Sequence, residues 1–263
     1  MPEHWREWIL EAIDAELEIA NGLHQMLEDD AEFVVRAASS GARLWDVRKP
    51  PTDIPLNSGK ALTAPQRIAL TVGSDCAVGK MTVSLELAEA ARAAGIEAEF
   101  VPTGQTGILI AGRGIAVDRV ISDFTAGAAE SLVVESDPTS EVLIVEGQGG
   151  LWHPAYSGVT LSLLHGSAPQ SLIFCHEWDR RAIEEPPYTE LPPLPEMVHT
   201  YESLASVVRP CKVACVALNT YGLSADAARR AIEQTENETG LPTGDVLGGD
   251  APGLWAALED SFS

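Results

Sequence analysis

The stretch RIALTVGSDCAVGKMT, residues 67–82, decides the fold. Arg67–Val72 is an apolar run with the length of a buried strand, and a helix predicted over Thr82–Ala94 follows the glycine-containing turn after it. Backbone N–H groups at the start of a helix attract phosphate oxygens, and Lys80 adds a point charge at that place. We therefore predict a phosphate-binding loop between the strand and the helix. Its candidate contacts with a diphosphate are Gly73, Ser74, Cys76, Ala77, Val78, Gly79, Lys80, Met81 and Thr82.

The loop departs from the common G-x-x-x-x-G-K-[ST] pattern at two positions. Its first glycine stands one residue early, which leaves Ser74 at the expected place. Met81 occupies the position of the hydroxyl that usually holds Mg²⁺, so Thr82 is the remaining candidate for that role. Asp75 is an unusual neighbour for bare phosphates. It favours a role in holding a cation or a substrate amine, with an aspartate that caps local N–H groups as the alternative.

The chain after residue 65 alternates apolar strands with helices, which predicts an α/β domain with a parallel sheet sandwiched by helices. The segment Glu185–Pro195 is rich in proline and is predicted to be a surface loop or lid. The further predicted strands are Glu97–Val101, Val142–Val145, Leu172–Cys175 and Lys212–Leu218, and the further predicted helices are Asp118–Ala129, His199–Val207 and Ser224–Thr239.

Residues 1–48 are predicted to form a short helical arm, because apolar residues recur there at steps of three and four. Residues 49–65 are rich in proline, serine and glycine and are predicted to be a linker, so that residues 66–263 form the phosphate-loop domain. The predicted elements of the arm are a helix from Trp5 to Leu17 that Asn21-Gly22 ends, a second helix over Asp29–Ser39 and a strand over Arg43–Val47.

The charge of the chain limits its partners. Lys and Arg number 17 against 39 Asp and Glu, a net charge of −22, which disfavours nucleic acid and anionic membranes as partners. No apolar run approaches the ~20 residues of a membrane-spanning helix, and the first residues do not resemble a signal peptide. We therefore expect a cytoplasmic protein. Excess acid with only four lysines is typical of proteins from a high-salt cytoplasm, where cations screen the repulsion, and an ordinary acidic protein is the alternative.

A second apolar strand, Val142–Val145, carries Glu146 at its C-terminal end, where parallel α/β sheets bind ligands. Glu146 could hold Mg²⁺ directly or through water, and a solvated glutamate is the alternative. The glycines of EGQGG, residues 146–150, leave room for a ligand beside the backbone. Asn219 follows the predicted strand Lys212–Leu218 and lies at the same edge of the sheet, with an ordinary turn asparagine as the alternative.

The loop and this strand end together resemble dethiobiotin synthetase and the related amidotransferase-linked ligases. Those enzymes use a G-T-D-x-x-V-G-K-T loop and an E-G-A-G-G strand end, which Gly73–Asp75, Val78–Lys80 and Glu146–Gly150 match. The resemblance implies a P-loop NTPase-like fold with ATP and Mg²⁺ as ligands. The resemblance also places Thr82 and Glu146 at the metal, if one is used, and Asn219 at the adenine.

Three further stretches resemble a narrower family, domain of unknown function 1611. They are TGQTG at Thr103–Gly107, HPAYSG at His153–Gly158 and LHGSAP at Leu164–Pro169, and the resemblance covers roughly residues 21–246. Some members are D-glutamate N-acetyltransferases, so the resemblance implies transfer of acetyl from acetyl-CoA to the amine of an amino acid, D-glutamate first. The family usually carries a further α/β segment at its N-terminus, which we expect to be reduced here to the helical arm.

The phosphate loop alone does not decide the reaction, because ATP and coenzyme A both contain an adenosine-linked diphosphate. A Mg-ATP-dependent ligase or kinase is the first alternative, and a nucleotide-binding regulator without turnover is the second. Acetyl transfer needs a base for the amine and donors for the thioester oxyanion. Histidine suits the base, and His153 and His165 lie close after the Glu146 strand. A histidine that caps a turn is the alternative for each.

These patterns together name the candidate site residues. The catalytic candidates are Asp75, Glu146, His153 and His165. The candidates for substrate contact are Gln105, Thr106, Tyr156, Ser157 and Arg181, with turn, packing or solvated roles as alternatives. The expected ligands are acetyl-CoA, or ATP with Mg²⁺, and a small-molecule substrate, in a homo-oligomer.

Overall fold

The computed structural model describes residues 1–184 and 189–263. The helices in these ranges are α1 (Glu3–Asp14), α2 (Ala31–Ser40), α3 (Lys80–Ala93), α4 (Gln105–Ala111), α5 (Thr125–Val134), α6 (Ser157–Ser167), α7 (Leu194–Ala205), α8 (Ala225–Thr239) and α9 (Ala251–Asp260). The strands are β1 (Ile19–Asn21), β2 (Leu44–Asp46), β3 (Arg67–Gly73), β4 (Ala98–Val101), β5 (Val142–Val145), β6 (Ser171–Glu177), β7 (Lys212–Asn219) and β8 (Thr243–Gly244).

Strands β3 to β8 form one parallel sheet in the order β4-β5-β3-β6-β7-β8. Helices cover both of its faces, so the strands bury side chains on each side and are apolar along their length. Ile68 and Leu70 of β3 pack in the core beneath α5, α6 and α7, whereas Ala69 packs in the core beneath α3 and α9. The predicted α/β fold with a parallel sheet sandwiched by helices is confirmed.

The strand that precedes the phosphate loop lies inside the sheet, between β5 and β6. The chain leaves β3, forms α3 and returns at β4, beyond β5, so the loops after β3 and β5 meet at one edge. Ligands of open α/β sheets bind at such a point, outside the carboxyl ends of the strands. This topology therefore brings the phosphate loop, Glu146 and the residues after β6 together.

The helix predicted over Asp118–Ala129 is wrong in its first half. Val117–Arg119 and Ser122–Phe124 are single 3₁₀ turns separated by extended backbone at Val120, and α5 begins only at Thr125. The side chain of Asp118 pairs with an arginine of the N-terminal segment instead of facing solvent on a helix. A local periodicity could not reveal this distant partner.

The helix predicted from His199 starts too late, because α7 begins at Leu194. Pro195 lies in the first turn of α7, where backbone N–H groups have no acceptor within the helix, so the lack of an N–H in proline costs no hydrogen bond. The proline-rich segment is therefore helical at its end. Residues 185–188 of the loop predicted over Glu185–Pro195 lie outside the described part of the chain.

The N-terminal residues form a small α/β unit, which has one strand, β1, beyond the two helices and the short strand that were predicted. Helix α1 ends at Asp14, so the predicted end at Asn21-Gly22 is wrong, and Ile19–Asn21 is a strand that pairs in parallel with β2. The backbone turns at Glu16, whose φ is +59°. The Asn21 side-chain amide donates to Asp46 Oδ1 at 2.6 Å and ties the two strand ends together. The helix predicted over Asp29–Ser39 and the strand over Arg43–Val47 agree with α2 and β2.

The segment 49–65 packs against α5. The Glu130 carboxylate accepts hydrogen bonds from the backbone amides of Ser58 at 2.8 Å and Lys60 at 2.5 Å. A Cβ at Gly127 would overlap the Pro55 carbonyl, so the segment lies directly on the helix. Among residues 1–184 and 189–263, no helix combines the length and the apolar character needed to cross a membrane.

Candidate functional site

The phosphate loop connects the end of β3 to the start of α3 and closes around a buried lysine. Gly79 precedes α3 with φ +105°, a conformation that favours glycine, and Ala77 also adopts a positive φ of +55°. Lys80 is 7% exposed, and its Nζ donates to the Asp75 carbonyl oxygen at 2.6 Å. Burial lowers the pKa of the Lys80 ammonium, and the acidic groups around it oppose that shift. The loop is therefore pre-formed, with its charge directed inward.

The loop after β5 packs tightly against the end of β3. Gly147 donates its N–H to Thr71 Oγ1 at 2.8 Å, and a Cβ at Gly147 would overlap the Thr71 carbonyl oxygen. Together the two loops enclose a cavity of about 330 Å³, which we call the phosphate cavity. It is lined by Gly79, Lys80, Met81, Thr82, Glu146 and Gly147, among others.

A second cavity, the apolar cavity, lies between the start of α3 and the end of β7. Its volume is about 160 Å³, and it shares Gly79 and Thr82 with the phosphate cavity. Asn219 lies in its wall and accepts a hydrogen bond from the Tyr221 amide at 3.0 Å through Oδ1. The side-chain amide of Asn219 remains at the edge of a largely aliphatic wall formed by Val78, Val83, Ala217, Leu218, Val246 and Leu247.

A third cavity, the aspartate cavity, lies on the other side of the phosphate loop. Its volume is about 410 Å³, within the usual range of small-molecule sites. It shares Cys76, Ala77, Gln148 and Gly149 with the phosphate cavity. The three cavities thus adjoin one another along the phosphate loop, and we call this stretch of surface, from Asn219 past Lys80 to Asp75, the groove.

Asp75 is fully buried in the wall of the aspartate cavity. Its Oδ2 accepts from Arg180 Nη1 at 2.8 Å and from the Glu184 amide at 2.9 Å. Burial would lower the pKa of Arg180, but hydrogen bonds to Glu177 and Asp75 raise it, so the guanidinium stays charged. Asp75 Oδ1 is buried and has no hydrogen-bond partner among the described residues. This oxygen is an unsatisfied buried acceptor in a residue that lines the aspartate cavity.

His153 lies beside Asp75, and its hydrogen bond defines which nitrogen carries the proton. Its Nδ1 accepts from the Ala155 amide at 3.2 Å, so the neutral ring carries its proton on Nε2. The ring packs on Tyr156 with centroids 4.4 Å apart. With this tautomer Nε2 is a donor and not a base, which disfavours the predicted base role. The donor atoms of Asp75, Cys76 and His153 lie within 4.8 Å of one another, but the same tautomer leaves Nε2 without a lone pair for a metal.

Glu146 holds the turn between β4 and α4. Its Oε2 accepts from the amides of Thr103 at 2.9 Å and Gly104 at 3.1 Å. Burial raises the pKa of Glu146, and these amides and the Lys80 charge oppose that shift. Met81 offers only a thioether and Glu146 Oε2 is engaged by these amides, so Thr82, which lines the phosphate cavity together with Glu146, is the remaining candidate hydroxyl ligand. That Thr82 and Glu146 hold Mg²⁺ stays a prediction.

The structure leaves several predicted residues outside the aspartate cavity. His165 Nε2 lies 3.2 Å from the Leu204 carbonyl oxygen and joins α6 to α7. Arg181 is exposed and pairs with Asp179 at 2.8 Å, while its neighbour Arg180 contacts Asp75. Thr106 is exposed on α4, and Ser157 begins α6. Tyr156 lines the aspartate cavity as expected.

Arg48 is a residue of the site that sequence reasoning missed. It follows β2, is 8% exposed and lines the aspartate cavity together with Asp118. Its Nη1 donates to Gln105 Oε1 at 3.1 Å, and its Nη2 pairs with Asp118. The one available signal is its place just after a strand of a parallel pair, at the carboxyl edge where ligands bind.

Two buried residues that hold the phosphate loop were also not predicted as site residues. His176 Nδ1 lies 2.9 Å from Ser74 Oγ, and burial, assisted by Arg181 and Arg180, lowers the pKa of His176 to about 4. Tyr201 donates its hydroxyl to the Gly73 carbonyl at 2.7 Å. These contacts position the first two residues of the loop without reaching the groove.

The fold and this groove define a P-loop protein, a class in which a loop between a strand and a helix receives phosphate groups. The chain belongs to the DUF1611 family. The family model described as a DUF1611_C P-loop domain matches residues 55–254, and the model described as a DUF1611_N Rossmann-like domain matches residues 1–50. The predicted family is therefore confirmed. The second match agrees with the parallel β1–β2 pair in the N-terminal unit.

Relatives of known name and structure cover nearly all of the chain. A D-glutamate N-acetyltransferase from Tritonibacter scottomollicae is 37% identical over 244 residues, which span 92% of this chain and 72% of that protein. A protein of the same name from Pseudoalteromonas sp. is 37% identical over 248 residues, 94% of this chain and 74% of its own. The crystal structure of a DUF1611 family protein from Anabaena variabilis is 39% identical, with a TM-score of 0.92 over 99% of this chain and 76% of that one.

Proposed function

We propose that the protein transfers acetyl from acetyl-CoA to the amine of an amino acid, with D-glutamate as the first candidate substrate. The observation that carries the proposal is the buried Asp75 Oδ1, which lacks a partner within the described residues and belongs to the wall of a cavity lined by residues of the phosphate loop. A substrate ammonium would satisfy this oxygen. The names of the two curated relatives support the same reaction.

The three cavities match the chemical segments of coenzyme A in the order that the proposal requires. Its adenine would enter the apolar cavity beside Asn219, and its diphosphate would lie against the amides at the start of α3 and the Lys80 ammonium. The pantetheine arm would then run past Cys76 and Gly149, which line both the phosphate and aspartate cavities. In this order the acetyl thioester would lie beside Asp75.

The acceptor amine enters as an ammonium and must lose a proton before it can attack. Asp75 Oδ1 takes this proton, and the neutral nitrogen attacks the thioester carbonyl carbon. His153 Nε2–H donates a hydrogen bond to the carbonyl oxygen as negative charge develops there. The C–S bond then breaks, and the leaving thiolate takes the second proton from nitrogen. The products are the N-acetyl amino acid and free coenzyme A.

Thiol release tests the proposal. The wild type with acetyl-CoA and D-glutamate should produce free thiol, and Asp75→Asn should reduce the rate on the order of 100-fold or more, because the amide cannot accept the ammonium proton. Asp226→Asn, at an exposed aspartate of α8, is the matched control and should retain the wild-type rate. Acetyl-CoA binding and thermal unfolding of Asp75→Asn show whether the loop remains intact.

Two outcomes contradict the proposal. Release of ADP that depends on an added substrate, with no thiol from acetyl-CoA, would indicate the ATP-dependent ligase or kinase. Tight nucleotide binding with no product across a panel of D- and L-amino acids, measured in both low and high salt, would indicate a regulator. Each outcome is distinguishable in the same assay plates by the product detected.

A further inference from the structure

The aspartate cavity contains a buried donor that complements its buried acceptor. Arg48 and Asp75 both line it, and both are more than nine-tenths buried. Arg48 Nε, like Asp75 Oδ1, has no hydrogen-bond partner in residues 1–184 and 189–263. A ligand that satisfies both atoms must carry an acceptor for Arg48 Nε and a donor for Asp75 Oδ1, and an amino acid offers a carboxylate and an ammonium for these roles.

Arg48 is held by two side chains of the phosphate-loop domain. Gln105 accepts from Nη1 at 3.1 Å, and Asp118 pairs with Nη2. These contacts fix the plane of the guanidinium and leave Nε without a partner among the described residues. Asp118 also lines the cavity, so its carboxylate and an incoming carboxylate compete for the same cation.

The topology separates the strand end that anchors Arg48 from the strand end that carries Asp75. Gln105, which holds Arg48, begins α4 after β4, whereas Asp75 follows β3. Strand β5 lies between them in the sheet, so the two strand ends are two spacings apart, about 10 Å. The α-carboxylate carbon of an amino acid is one bond from the carbon that carries the amine. The side-chain carboxylate carbon of glutamate is three bonds from it and therefore reaches farther from Asp75 toward Arg48.

We propose that Arg48 binds the side-chain carboxylate of an acidic amino acid while Asp75 receives its amine. This assignment rests on the proposed acetyl transfer and adds the residue that selects the substrate. Arg48 belongs to the segment that precedes residue 50, so the N-terminal unit supplies the selecting charge to a site built by the phosphate-loop domain.

The test compares D-glutamate with D-norvaline, which has the same carbon chain and lacks the side-chain carboxylate. Arg48→Gln should raise the KM for D-glutamate about 10- to 100-fold, with a smaller change in kcat, because it removes a contact made equally in the ground and transition states. The KM for D-norvaline should stay within about twofold. Arg48→Lys should restore part of the D-glutamate affinity, and Asp118→Asn should lower the KM for D-glutamate.

Two results would overturn the assignment. An unchanged D-glutamate KM in Arg48→Gln would show that another group reads the carboxylate. An equal rise for D-norvaline would show that Arg48 binds the α-carboxylate or only supports the fold, and thermal unfolding of the variant separates these two.

Calorimetric binding of D-glutamate to the wild type and to Arg48→Gln gives the same comparison without turnover. If the wild type releases no thiol from acetyl-CoA, the proposed function fails. The Arg48 assignment then stands or falls on the two calorimetric dissociation constants, which should differ at least 10-fold.

Discussion

Neutral His176 should make the phosphate loop sensitive to acid. Burial lowers the pKa of His176 to about 4, against an ordinary value of 6.5. Between these two pH values the unfolded chain therefore binds a proton at this histidine and the folded chain does not. The stability contributed by the neutral ring is therefore complete above pH 6.5 and is lost as the pH falls toward 4. Between about pH 7.5 and pH 5 this one group should lower the free energy of unfolding by about 2 kcal/mol.

His176→Asn isolates this contribution from those of the many carboxylates. The asparagine amide occupies nearly the position of Nδ1, so it can keep the contact with Ser74 Oγ while removing the titration. In urea unfolding, the free energy of unfolding of the wild type should fall between pH 7.5 and pH 5 by about 2 kcal/mol more than that of His176→Asn. For His199→Asn, at an exposed histidine of α7, it should fall as much as for the wild type. Equal losses in the wild type and His176→Asn would refute the reasoning.

Three further predictions follow from the loop and from the charge. Lys80→Ala should weaken acetyl-CoA binding about 10- to 100-fold by calorimetry. Lys60→Ala, at an exposed lysine, should leave the affinity unchanged. Equal affinities of Lys80→Ala and the wild type would contradict the phosphate role of Lys80. Gly147→Ala should lower the free energy of unfolding in urea by about 1–3 kcal/mol, because the new Cβ would overlap the Thr71 carbonyl oxygen. The control, Gly158→Ala, adds a Cβ in open space on a helix and should leave the free energy of unfolding unchanged or raise it. Added KCl should raise Tm, because it screens repulsion within a chain of net charge −22, and a Tm that falls with KCl would contradict a high-salt adaptation.

The centre of the fold was accessible from the sequence because its signals are local. The apolar strand before Gly73, the glycine-lysine pair and the strand Val142–Val145 each depend on neighbours within about ten residues. Helix α6 was not predicted, because its sequence lacks the local pattern of an amphipathic helix. It is buried on several sides, so its apolar residues show little helical periodicity.

The site was accessible only in part, because its decisive contacts join distant residues. Asp75 was marked by its unusual place in a phosphate loop, but its partner Arg180 lies 105 positions away. Arg48 reaches Asp118 across 70 positions and across two units of the chain. The tautomer of His153 depends on the direction of one amide, that of Ala155, which no residue pattern encodes.

The central claim is that one groove brings acetyl-CoA and an amino acid together at Asp75. The most direct measurement is the product balance of the purified protein with acetyl-CoA and D-glutamate, using a thiol reagent and mass spectrometry in parallel. One free thiol should form for every N-acetylglutamate, without added ATP or Mg²⁺. No N-acetyl product from any amino acid, together with ADP formed from ATP in the presence of a substrate, would contradict it.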